Sequence, residues 1–178
     1  MKGSGVLKIK DIKANKVLPF EISDEKLMKL FSFFLHSAPT IESQSAAHID
    51  EQRLFKNWLD FKVQIPSNMM MFFASSYSRD KFINSFKKYG IDDESEVNRR
   101  TKAFVCKRKE SKKGISEADC HCLLRHIRNS IAHNNVYIAN VGNRKYILFE
   151  DYNQKGNISA RILLSQTDLT RLKREIMK

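Results

Sequence analysis

Apolar residues recur at three- and four-residue spacing through most of the first 133 positions. They then give way to β-branched and aromatic runs. The first pattern is that of helices with one buried face, the second that of strands. Residues 1–22 alternate weakly and read as a short strand or an extended arm, with Pro19 arguing against a central strand. Ser23 is placed to cap the next helix, in which Leu27, Leu30, Phe31 and Phe34 share a face and which Pro39 closes. A second helix is expected over Glu51 to Val63, with Leu54, Phe55, Trp58, Leu59 and Phe61 in its pattern and Pro66 beyond it. The stretch "SNMMMFFASSYSRDKFINSFKKYG" reads as one bent helix or two consecutive ones, with Ser78 an internal cap and Gly90 the stop. "DDESEVNRRTKAFVCKRKESKKG" begins acidic and ends basic, the order that complements a helix dipole. Its tail, Lys107 to Lys113, reads as a solvated link.

"SEAD" (Ser116 to Asp119) resembles a capping box, and the helix it opens stops at Asn134-Asn135. "NVYIANV", "RKYILFEDY" and "NISARILL" follow, separated by the turn signals "GN" and "QKGN". They predict an antiparallel hairpin or three-stranded meander. "SQTDLTRLKREIMK" closes as a capped helix with Leu169, Leu172 and Ile176 inward. The pattern as a whole predicts a single, mainly α domain over residues 1–178. Helices fill 23–133 as a bundle, a small β insert occupies 135–164, and a last helix spans 165–178.

A length of 178 residues suits one core, and twelve phenylalanines and six methionines can build it. No apolar run approaches a membrane span, and "MKGSGVLKIKDIKANK" has no apolar signal core, so a cytoplasmic protein with no membrane role is expected. Three cysteines, an odd number, fit free thiols in a reducing compartment. The formal net charge is +12, from 32 Lys and Arg against 20 Asp and Glu. Such an excess attracts polyanions: nucleic acid, an acidic partner or anionic lipid. Arg99, Arg100 and Lys102 read either as cations lining an RNA groove or as exposed helix charges. "MMMFF" (Met69 to Phe73) reads as a buried helix rather than a binding surface.

The chemistry concentrates in "LLRHIRNSIAHNN" (Leu123 to Asn135). At helical spacing, Cys120, Leu123, Leu124, Ile127 and Ile131 fall within one sector about 100° wide, the expected core face. His121, Cys122, Arg125, His126, Arg128, Asn129, Ala132 and His133 collect opposite, with no carboxylate among them. An ordinary surface helix would show Lys and Glu there. Asn129 and His133 are one turn apart and lie side by side. Arg128 is too far around the helix to converge with His133 on one atom, but two such helices about a twofold axis would bring them together. Small Cys122 and Ala132 would let a partner helix approach. "CHC" (Cys120 to Cys122) suggests zinc at first sight, but its two thiols lie on different helix faces without a second close pair, and Cys120 reads as core.

Histidine titrating near neutrality suits general acid–base work, and arginine suits the charge of a phosphorane. RNA carries its own nucleophile, the 2′-hydroxyl, so no metal or cofactor is required. "RNSIAH" (Arg128 to His133) resembles the R-x4-H form of the HEPN signature, including the polar residue after the arginine. That resemblance implies an α-helical bundle, a homodimer with two motifs at one cleft, and a metal-independent ribonuclease of toxin–antitoxin, abortive-infection or CRISPR-associated type. It implies Arg128, Asn129 and His133 as the catalytic set, with RNA as substrate and a cognate antitoxin or activating partner. Arg125 and His126 extend the motif face outside the signature and are further candidates for RNA contact. The resemblance is carried by Glu117 to Asn135; the strands and last helix match a HEPN subgroup more weakly.

Overall fold

A computed structural model describes residues 5–40, 50–64, 69–75, 79–109 and 117–178. Among them the chain forms helices α1 (Ile9–Ile12), α2 (Glu25–Ser32), α3 (Glu51–Gln64), α4 (Arg79–Lys88), α5 (Asp119–Ala132) and α6 (Gln166–Ile176). The strands are β1 (Lys16–Val17), β2 (Met69–Ala74), β3 (Lys102–Lys107), β4 (Val136–Val141), β5 (Arg144–Tyr152) and β6 (Ile158–Ser165). They make one sheet in the order β1-β4-β5-β6-β3-β2, with β2 and β3 parallel and the other pairs antiparallel.

This architecture corrects the expectation of a mainly helical bundle with a small β insert. The strands β4, β5 and β6 lie where the runs after residue 135 place them, but they belong to a six-stranded mixed sheet at the centre of the molecule. Two further strands come from stretches with helix-like signals. "MMMFFA" is β2, paired along its whole length with β3 from Met69 opposite Lys102 to Ala74 opposite Lys107. "KAFVCK" is β3, held between β2 and β6. Ala103, Phe104, Val105 and Cys106 are all buried because both sheet faces are covered. A strand covered on both faces loses the alternation that would announce it.

Side chains alternate between two cores. Phe104, Ile147, Phe149, Ile162 and Leu164 pack under α2, α3, α5 and α6. Ala103, Val105, Tyr146, Leu148 and Leu163 pack on the other face with Ile9, Ile12, Phe82 and Phe86 of α1 and α4. The predicted inward faces of α2 and α6 are fully or almost fully buried: Leu27, Leu30, Phe31 and Phe34, and Leu169, Leu172 and Ile176. Asp24, not Ser23, caps α2, accepting from the Leu27 amide at 3.0 Å. The helix continues as a π turn over Phe33–Ser37 before Pro39. Ser165 and Asp168 form a reciprocal capping box on α6. Ser78, Ser116 and positions 110–113 of the expected link lie outside the described residues.

Candidate functional site

Helix α5 crosses the sheet with its predicted stripe inward: Cys120, Leu123, Leu124, Ile127 and Ile131 are at most 4% exposed. Its burial extends further than that stripe. Cys122, His126 and Ser130 are also buried, so part of the expected polar face is internal. The carboxylates missing from the helix arrive from outside it. His121 Nε2 lies 3.2 Å from Glu51 of α3. Arg125 donates to both carboxylate oxygens of Glu117, at 2.8 Å each, and to the Lys107 carbonyl at 3.2 Å. Burial opposes charge on Glu117, but the Arg125 guanidinium outweighs it and holds that carboxyl below its ordinary range.

At the centre is His126. Its Nδ1 lies 2.8 Å from Oδ2 of Asp151 on β5, and its Nε2 lies 2.7 Å from the Lys107 carbonyl on β3. Arg125 Nη2 also lies 3.3 Å from that Nε2, but the shorter contact of each ring nitrogen is to an acceptor, and donating to both takes a doubly protonated ring. Burial works against that charge; the hydrogen bonds to Asp151 and Cys122 outweigh it, and the pKa rises to about 9. Asp151 accepts a second bond from Asn129 Nδ2 at 3.2 Å, and Asn129 Oδ1 accepts from Arg128 Nη1 at 3.1 Å. One polar chain therefore runs from the β3 backbone through His126, Asp151 and Asn129 to Arg128. It fixes the Asn129 amide in one orientation. Arg128 Nε is buried without a hydrogen-bond partner among the described residues.

The helix ends as its asparagines predict. Asn134 takes the left-handed conformation, with φ of 57°, and the Asn135 amide closes on the Ser130 carbonyl at 2.8 Å. The Asn135 carbonyl then accepts from the Glu150 amide at 3.1 Å, tying the helix end to β5. His133 is left exposed at the C-cap. Beside it opens a cleft of about 500 Å³ whose lining includes Lys107, Arg125, His126, Asn129, His133 and Asp151. Lys107 and Lys109, also in that lining, have no carboxylate partner among the described residues.

The structure thus brings Asn129, His133, Arg125 and His126 to one cleft, and sets Arg128 at its flank, joined through Asn129. It does not bring Arg99, Arg100 or Lys102 there. Lys102 is 8% exposed and donates to Asp168 at 3.0 Å, so its ammonium is a buried structural charge rather than an RNA contact. Arg99 and Arg100 are exposed on the loop before β3, not on a helix. The Arg99 guanidinium lies against the Gly142 turn between β4 and β5, where an added Cβ would meet its Nε at 2.7 Å. Sequence reasoning missed Asp151 and Glu117. For Asp151 the available signal was "FEDY": acids within an apolar strand need partners inside the fold.

Cys106, Cys120 and Cys122 are free and buried. Among the described residues no group of His, Cys, Asp and Glu is placed to hold a metal ion, and no helix is long and apolar enough to cross a membrane.

The motif helix thus lies on a sheet and carries Arg128 and Asn129, with His133 exposed at its end beside a basic cleft. The chain belongs to the HEPN pEK499 p136 family, whose profile matches residues 13–178. No curated protein and no solved structure matches it.

Proposed function

We propose that this protein is a metal-independent endoribonuclease, acting as a homodimer in a cytoplasmic toxin–antitoxin or antiphage setting. The observation that carries the reading is the end of α5: exposed His133 one turn from an Asn129 whose amide is fixed by Asp151 and Arg128, beside a cleft lined by lysines. In this reading His133 takes the proton of the RNA 2′-hydroxyl. The O2′–P bond forms, the P–O5′ bond breaks, and the leaving oxygen receives its proton back from the His133 imidazolium so formed. Arg128 of one protomer stabilises the phosphorane made at the other's histidine, because within one chain it flanks the cleft rather than lining it. The products carry 2′,3′-cyclic phosphate and 5′-hydroxyl ends. A helix C-terminus repels phosphate, and Lys107 and Lys109 offset that repulsion.

The test is cleavage of mixed RNA in EDTA by wild type, His133→Ala and Arg128→Ala, with folding and mass checked. Loss of cleavage in both variants supports the reading; cleavage that survives both, or 3′-hydroxyl products, sinks it. A second reading is a non-catalytic module that dimerises and binds RNA, or a scaffold for an acidic partner such as a cognate antitoxin. The neutralisation of Arg125 by Glu117 favours it, since that guanidinium is committed within the fold.

A further inference from the structure

A second basic surface lies away from this cleft. One groove of about 430 Å³ runs between α2 and α6, and another of about 480 Å³ lies where α6 begins beside the β4–β5 turn. Gln166 and Thr170 line both, so the two adjoin. Their walls carry Lys26, Lys29, Lys173 and Arg174 in the first, Arg144 and Lys145 in the second, and no carboxylate in either lining. Lys145 is paired with Asp24 and Arg174 with Glu175. Lys26, Lys29 and Arg144 have no carboxylate partner among the described residues.

We propose that this groove binds the phosphate backbone of single-stranded RNA, anchoring a flank of the strand whose other part occupies the cleft at His133. The inference rests on the RNA reading of that cleft. Three observations select the occupant. Leu30 and Met177 line the first groove, but Leu30 is buried and Met177 only half-buried, and the large apolar side chains that the described residues expose, such as Phe55, Leu59 and Val63, all lie elsewhere. A protein-binding patch would centre on apolar and aromatic side chains and be poor in lysine, and a membrane-binding face would need apolar residues to insert. Cations interleaved with the amides and hydroxyls of Gln166, Thr170, Asn140 and Asn143 match instead the donors that contact phosphate and sugar. The spacing also suits a strand. Arg144 and Tyr152 mark the two ends of β5, about 26 Å apart at roughly 3.3 Å per residue. Arg144 lines the groove and Tyr152 the cleft. A few extended nucleotides span that length.

The experiment measures binding of a 30-nucleotide, mixed-sequence 2′-O-methyl RNA by fluorescence anisotropy across a salt series. That probe lacks the nucleophile, so binding is read apart from cleavage. Lys26→Glu/Lys29→Glu is compared with Lys87→Glu/Lys88→Glu, a charge-matched pair exposed on α4 on the other side of the sheet. The groove variant is expected to bind at least tenfold more weakly, with the log–log salt slope reduced by about 1.4, roughly 0.7 for each phosphate no longer neutralised. The α4 variant is expected to stay within twofold of wild type, and thermal melts verify that both fold. Equal weakening in the two variants, no weakening in either, or no RNA binding by wild type overturns the proposal. So does an acidic protein captured through Lys26 and Lys29 while RNA affinity is unchanged. Binding lost only in the groove variant, from a protein that cuts no RNA, upholds the groove and removes the catalytic reading. Normal cleavage with unaltered RNA affinity does the reverse.

Discussion

On the scale of single residues, the site is built on a buried ion pair. His126 and Asp151 are 1% and 3% exposed, with Nδ1 and Oδ2 2.8 Å apart. The folded pKa of His126 is raised from 6.5 to about 9, so its contribution is complete below about pH 6.5 and is lost as pH rises through 9. That contribution is about 3 kcal/mol at 1.36 kcal/mol per pH unit. Urea unfolding at pH 6, 8 and 9.5 should show the decline, and Asp151→Asn should abolish it while lowering stability at pH 6. A flat profile in wild type would mean that folding leaves the His126 pKa unshifted and the pair unimportant. Lys102 gives a contrasting prediction. Lys102→Met strands the buried Asp168 carboxylate and should cost about 3–5 kcal/mol, with RNA affinity in anisotropy unchanged once folding is secured. An affinity loss in folded protein would return Lys102 to the RNA surface. The sequence identified His126 by its place on the motif face, but not its role. A helical wheel shows which residues share a helix face and nothing of the strand that supplies Asp151.

Among the helices and strands, helix ends and antiparallel strands were legible and the parallel pair was not. Asn134 and Asn135 mark the end of α5 by local backbone chemistry alone. Asn134→Gly should be neutral or slightly stabilising. Asn134→Val should cost about 1–2 kcal/mol, because a β-branched residue resists the left-handed conformation. Equal melting temperatures for the two variants would contradict the positive φ. The strands β2 and β3 depend on each other across 33 positions of chain (Met69 to Lys102), through a parallel register that no local signal encodes. Phe104 and Val105 point to opposite cores, and both are fully buried. Phe104→Ala should cost about 3–5 kcal/mol and Val105→Ala about 1.5–3 kcal/mol. A helix with one solvated face would tolerate one of the two, so the pair of chemical denaturation curves checks the strand.

For the molecule as a whole, the proposed mechanism requires Arg128 and His133 to reach one phosphate. Within a chain, Arg128 is turned to Asn129 and flanks the cleft that His133 lines. A twofold partner would supply the missing group to each cleft. Mixing Arg128→Ala with His133→Ala protein after unfolding and refolding should therefore restore RNA cleavage that neither variant has alone, because mixed dimers hold one intact set. No restoration from a mixture verified as dimeric by mass would point to a site made within one chain.

Local chemistry along the chain was enough to set the buried faces of α2, α5 and α6, the left-handed stop after His133 and the three antiparallel strands. The positive charge and the R-x4-H motif that places the chain among HEPN proteins were equally plain. Those features depend on composition or on spacings of a few residues along one element. The closed fold settled the rest. It made "MMMFFA" and "KAFVCK" neighbouring strands, turned the supposed insert into the middle of a sheet, and buried Lys102 on Asp168. It also brought Asp151 to a helix with no carboxylate on its polar face. Each of these joins residues far apart in the chain, and a buried charge declares its partner only when the fold has closed around both.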